Sequence, residues 1–230
     1  MKEQLMSLAT YWTTDPLPTL RPLPGFTVST RVDDAALALL NRLSLQEVRA
    51  RRADGHQPYG AYLHGTPVGY GWVATRMATI GEVGLTFSLP AGNRYLWDFA
   101  TLPAWQGRGL YPRLLQGILQ AERHSADRFW ILHAPENLPS GAGIGRAGFQ
   151  PVGELSFDAA GRVTLVASHD RERAEAGAML FGIPLMQSDL TPCWCCASGD
   201  QPCGCAPTDA ALAGTCACAV ALKSNVSNAA

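Results

Sequence analysis

The sequence predicts an α/β (α+β) fold, and three observations carry that expectation. Strand-like segments alternate with segments of helical period from about residue 25 to about residue 180. Turn residues separate them: Gly65-Thr66-Pro67, Pro90-Ala91-Gly92-Asn93 and Asp158 to Gly161 each lie between two strand-like runs. At the centre, Tyr95 to Gln120 reads as a strand, a glycine turn and a helix in immediate succession.

Residues 1–24 are expected to be an extended lead-in, because Pro16, Pro18, Pro22 and Pro24 punctuate them. Phe26 to Val32 alternates as a strand does. Asp33 or Asp34 can cap a helix through Ala35 to Leu43, and Ser44-Leu45-Gln46-Glu47 is a capping box for a second helix ending near Arg52. Its Arg49, Arg51 and Arg52 read as a solvated face. After Gly55, Tyr59 to His64 and Val68 to Arg76 form a hairpin, and Glu82 to Leu89 a further short strand. Tyr95 to Leu102 is the central strand, with Asp98 inside it and Tyr95, Trp97 and Phe99 expected on one face. Leu110, Leu114, Leu115, Ile118 and Leu119 then mark the buried stripe of a helix running to His124, with Pro112 in its tolerant first turn. Phe129 to His133 suits a buried strand, and glycine-rich Asn137 to Arg146 a short helix at most. Pro151 to Phe157 and Val163 to Ala167 make another hairpin, and Asp170 to Leu180 a last helix.

The bulk numbers narrow the classes. At 230 residues the chain holds one sizeable core and a tail. Its 18 basic and 19 acidic residues leave no electrostatic footprint for nucleic acid. No apolar run approaches the ~20 residues that span a bilayer, so no membrane partner is expected. The N-terminal MKEQLMSLATYWTTDPLPTLRPLPG lacks the apolar core of a secretory signal, and a cytoplasmic chain is expected.

Strand, glycine turn and helix start together form an anion cradle. Gly107 and Gly109 allow the bend and the close approach of a ligand, while free amides and the dipole at the helix start attract negative charge. Arg108 adds a full positive charge. Neither standard phosphate loop fits: GxxxxGK[ST] occurs nowhere, and Gly107-Arg108-Gly109 lacks the third glycine of GxGxxG.

The stretch resembles the acyl-CoA loop Q/R-x-x-G-x-G/A of the GNAT acetyltransferases through Gln106, Gly107, Arg108, Gly109 and Leu110, after Thr101-Leu102-Pro103. Tyr111 departs from the final small position. Asn137-x-x-Ser140 followed by Gly148-Phe149 resembles a second segment of that family, and the element order from Gly25 to Ala167 is similar to its fold. The resemblance implies a mixed, mostly antiparallel sheet flanked by helices, with two strands splayed at the acyl-CoA site, in a domain spanning residues 25–190. It implies that backbone groups of Phe99, Ala100 and Thr101 bind the pantetheine arm, that the amides of Gln106 to Tyr111 hold the diphosphate, and that Asn137 lies beside the arm. The activity implied is direct transfer of an acetyl group from acetyl-CoA to a primary amine of a small-molecule or peptide acceptor. Glu82 and Asp98 are the candidate bases and His133 a third. The tyrosine that often protonates the departing thiolate would fall near Ile144 and is absent. A catalytically silent CoA-binding or metal-sensing module is the alternative.

All seven cysteines fall in a tail, residues 191–230: Cys193, Cys195, Cys196, Cys203, Cys205, Cys216 and Cys218. Their C-x-C pairs suit a soft metal such as zinc, although the spacing is not that of a zinc ribbon.

Overall fold

A computed structural model describes residues 4–168 and 170–187. Among the described residues the main sheet has nine strands in the order β11-β10-β9-β1-β8-β7-β4-β3-β2. They are β1 (Gln4–Trp12), β2 (Phe26–Ser29), β3 (His56–Leu63), β4 (Thr66–Ala74), β7 (Gly92–Thr101), β8 (Ala126–His133), β9 (Gln150–Phe157), β10 (Val163–Ala167) and β11 (Leu185–Gln187). Among these strands only the β7/β8 and β10/β11 pairs are parallel. The expected mixed, mostly antiparallel sheet is therefore present.

Among the described residues five helices cover it: α1 (Asp34–Asn41), α2 (Leu45–Ala53), α3 (Leu110–Glu122), α4 (Leu138–Ala147) and α5 (Arg171–Phe181). On one face α3 and α4 bury Leu114, Leu115, Ile118 and Ile144 against Ala9, Leu96 and Ile131. On the other, α1 and α2 pack Leu37 and Val48 on Tyr70 and Trp72. Beside them α5 meets Leu8, Tyr95 and Trp130 together with a small separate sheet, β5 (Met77–Ile80) and β6 (Leu85–Ser88). Among the described residues no helix is long and apolar enough to cross a membrane.

Three expectations are corrected. The lead-in of residues 1–24 contains β1, which pairs with both β8 and β9. Leu8, Ala9, Thr10 and Tyr11 are buried in succession, so β1 lacks the alternation of a strand with a wet face, and the prolines begin only after it. Glu82 to Leu89 is not one strand, because a 3₁₀ turn at Gly81–Val83 precedes β6 and carries Glu82. The glycine-rich segment after β8 is a full ten-residue helix, α4. Asn137 caps its start by accepting from the Ser140 amide (3.1 Å), and Gly148 ends it at φ 108°.

Candidate functional site

The site begins with a break in strand pairing. β7 runs parallel to β8 from Gly92 to Leu96, and the last pair is Leu96 with Ile131. Beyond it β7 continues to Thr101 paired with β4, while β8 continues to His133 paired with β1. The two strands splay, as the resemblance implies.

An irregularity at Asp98 accompanies the break. Against β4, Trp97 pairs with Trp72 and Ala100 with Tyr70, so Asp98 and Phe99 oppose Gly71 alone. This is a β-bulge, and Asp98 takes the left-handed conformation at φ 49°. Asp tolerates that region better than most residues, and its side chain is anchored. Arg51 of α2 forms an ion pair with Oδ2, and Asn41 Nδ2 donates to the same atom at 3.1 Å. Asn41 also donates to the Tyr70 hydroxyl (3.0 Å) and accepts from Trp72 Nε1 (2.6 Å). The Arg51 guanidinium stacks over Trp97 at 4.5 Å and Trp72 at 5.1 Å. Arg51 is therefore not on a solvated face.

The extra residue breaks the alternation of side chains. Tyr95 and Trp97 share the face of α5 and the small sheet, whereas Phe99 turns to the α3 face. The expected common face for all three is corrected accordingly. Gly71 makes this possible, since a Cβ there would lie 2.0 Å from the Phe99 ring.

Below the bulge, Gln106 Nε2 donates to the Thr101 carbonyl (3.1 Å), and the chain turns through Gly107 (φ 73°) and Gly109 (φ 67°) into α3. Among the described residues the amides of Gly107 to Tyr111 have no hydrogen-bond partner, and no side chain caps the helix. Phe99, Ala100 and Thr101 on one side, this turn below, and Asn137, Ser140 and Arg146 of the α4 region opposite enclose a cleft of about 540 Å³. Arg108 stacks on Trp105 at 4.8 Å beside it, and Arg146 lines it. Unpaired amides, a helix start and two guanidinium groups suit a multiply charged anion.

Tyr111, the departure from the motif, lies across this cleft. Its ring meets Phe99 (centroids 5.7 Å apart) and rests on Gly143, where a Cβ would come within 2.5 Å. Burial pushes its phenol up to about 12, with a hydrogen bond from Ser140 opposing. Ile144, where the family's tyrosine would fall, is buried in the core.

The other candidates are scattered. Glu82 lies on the exposed 3₁₀ turn, where its charge and, more strongly, burial raise the Tyr95 hydroxyl. Tyr95 pairs with Trp130 in the closed part of the sheet, one pair before the last. His133 ends β8 level with the opening, its Nδ1 2.9 Å from the Ala134 carbonyl and its ring against Gly141. The seven cysteines lie outside the described residues, and among the described residues no group of three or more potential ligands could hold a metal. Sequence reasoning missed Asn41, Arg51, Tyr70 and Arg146. The strand glycines Gly69 and Gly71 were the available signal for a bulge.

The family model for the acetyltransferase (GNAT) family matches residues 27–149. A search of curated protein sequences gave no match. Among solved structures the chain is similar to a GCN5-related N-acetyltransferase from Kribbella flavida, at 15% identity over 66% of this chain and 56% of that one, with a TM-score of 0.46. It is also similar to a GNAT acetyltransferase from Colwellia psychrerythraea, at 11% identity over 66% and 54%, with a TM-score of 0.47. A third is the aminoglycoside acetyltransferase AAC(6')-Ib in complex with coenzyme A and kanamycin, at 19% identity over 66% and 98%, with a TM-score of 0.45. The chain thus covers little more than half of the Kribbella and Colwellia proteins. With a match that takes in more than half of its residues, the chain belongs to the GNAT family of acetyltransferases.

Proposed function

We propose that the protein is an acetyl-CoA-dependent N-acetyltransferase that acts on a primary amine. The observation that carries this reading is the run of unpaired amides from Gly107 to Tyr111, opening into a cleft where β7 and β8 have ceased to pair. The diphosphate is held by those amides, with Arg108 and Arg146 adding charge. The pantetheine arm lies along Phe99 to Thr101, taking backbone hydrogen bonds that β8 no longer supplies. Asn137, whose Oδ1 is engaged with Ser140, offers its Nδ2 to the arm.

Transfer is direct. The amine lone pair attacks the thioester carbonyl carbon, the C–S bond breaks, and the thiolate takes up a proton. Holding both reactants and donating a backbone amide to the developing oxyanion supply much of the rate. Asp98 attracts the incoming ammonium and, through water, accepts its proton; its Oδ2 is occupied by Arg51 and Asn41. Small-molecule and peptide amines are both acceptors consistent with this chemistry.

Isothermal titration with acetyl-CoA, followed by thiol release with an amine panel, tests the reading. Gly109→Trp forces an L side chain into the left-handed region inside the cradle, and acetyl-CoA affinity should fall by about tenfold or more. Unchanged affinity in that variant overturns the assignment.

A further inference from the structure

We infer that a second cavity, against the Trp97 face of β7, is the acceptor site and takes a primary monoamine with a flat apolar body in preference to a polyamine. The inference rests on the acetyltransferase reading and names its acceptor class. The cavity measures about 640 Å³ and is bounded by Trp97, His56, Asp54, Arg76 and the β5 residues Met77 and Thr79. Trp97 directly follows Leu96, the last residue of β7 paired with β8. Trp97 therefore borders the cavity with its side chain while its backbone begins the stretch of β7 that β8 no longer pairs. The bulge at Asp98 assigns Trp97 and Phe99 to opposite faces, so an acceptor and an acyl-CoA would reach the gap from opposite sides.

The lining dictates the chemistry. Trp97 Nε1 donates to His56 Nδ1 at 3.1 Å, and the rings stand edge to face at 5.0 Å, which fixes a flat aromatic wall. Burial holds the His56 imidazole below its ordinary value; Arg51 and Arg76 act in the same sense and Asp54 against it. With Nδ1 accepting, the neutral ring carries its proton on Nε2. Met77, about half exposed, offers an adaptable apolar surface opposite. Charge on the lining amounts to one carboxylate, Asp54, and one guanidinium, Arg76. The neighbouring carboxylate, Asp98, is already paired with Arg51. One ammonium can be accommodated at the gap. A second one along the same molecule meets Asp54 only beside Arg76, whose like charge offsets that attraction, and loses water for little net gain.

The test is titration of 2-phenylethylamine and of spermidine into the full chain, with and without CoA. Phenylethylamine should bind about tenfold or more tightly than spermidine. Thr79→Trp, which fills the cavity from an exposed strand position, and Met77→Lys, which places a cation in it, should each weaken phenylethylamine about tenfold while acetyl-CoA affinity stays within about twofold. Met77→Lys changes an exposed residue and keeps the test open if Thr79→Trp does not fold. Spermidine binding as tightly, no phenylethylamine binding, or indifference to both substitutions overturns the inference. Failure of the acetyltransferase reading itself shows separately, as absent acetyl-CoA binding in the same preparations.

Discussion

Substituting Asp98 separates the backbone role of the bulge from the charge it carries. The residue sits at φ 49°, and its side chain, 27% exposed, accepts from Arg51, which is 22% exposed, and from Asn41. Asp98→Gly keeps the left-handed conformation and gains about 1 kcal/mol there, because glycine has no Cβ to clash. It also loses two hydrogen bonds to a charged group, nominally about 1.5–3 kcal/mol each and less at this exposure. The net loss should be about 1–3 kcal/mol. Asp98→Val loses the same bonds, gains nothing and adds the strain of a β-branched residue at positive φ, so it should be roughly 2 kcal/mol worse than glycine. At about 2–4 °C per kcal/mol, that separates the two melting temperatures by about 4–8 °C. Acetyl-CoA titration should rank the variants in the same order, because losing the bulge returns Phe99 to the wrong face. Equal melting temperatures and equal acetyl-CoA affinity for the Gly and Val variants would refute the claim that this conformation opens the cleft.

Other consequences follow from buried groups away from the bulge. Burial alone would raise Glu122, but hydrogen bonds from Tyr59 and Arg94 (2.8 Å) and from Ser125 outweigh it and hold its carboxyl below the ordinary value. Its contribution to stability is thus present above pH ~4.5 and lost as pH falls through the depressed value, and acid melts of Glu122→Gln should show a shallower decline than wild type. Glu154 has the opposite sign: burial raises it, with the Ser7 hydrogen bonds and His133 opposing, so its ionised form disfavours folding above pH ~4.5. Glu154→Gln should therefore leave the melting temperature at pH 7 unchanged or higher. Gly143→Ala puts a Cβ 2.5 Å from the Tyr111 ring, and should cost about 1–3 kcal/mol in denaturant melts and weaken acetyl-CoA binding as the ring is pushed along the cleft.

What could be read in advance was what has a local signature. The α3 stripe, the Ser44–Glu47 capping box and the glycine turn at residues 106–111 follow from spacing and cap chemistry, and each is formed as expected. The bulge was illegible because an aspartate at φ 49° is spelled like any acid in a strand; its conformation depends on Gly71 and on Arg51, both distant in sequence. Arg51 itself sits in a run of basic residues on a polar helix, and only the approach of Trp72 and Trp97 makes it a stacked cation. Asn137 was singled out only as a motif residue, and its cap on α4 went unread because the glycine-rich run behind it argued against a full helix.

The least legible element, β1, also explains why the splay is one-sided. A strand that loses a neighbour would normally fray at its end, since its amides and carbonyls lose their partners. β8 loses β7 after Ile131, yet Leu132 and His133 remain paired with Leu8 and Ser7 of β1. β1 is in turn held by β9 through Ser7 opposite Glu154 and Leu8 opposite Gly153, and Ser7 Oγ hydrogen-bonds the Glu154 carboxylate at 2.9 and 3.0 Å. The far wall of the opening, β8, is therefore the edge of a three-strand block backed by β1 and β9, while the near wall is held by β4 and by the Arg51–Asp98 anchor. Residues outside the family-matched segment 27–149 thus brace one of the two walls of the cleft between the unpaired strands.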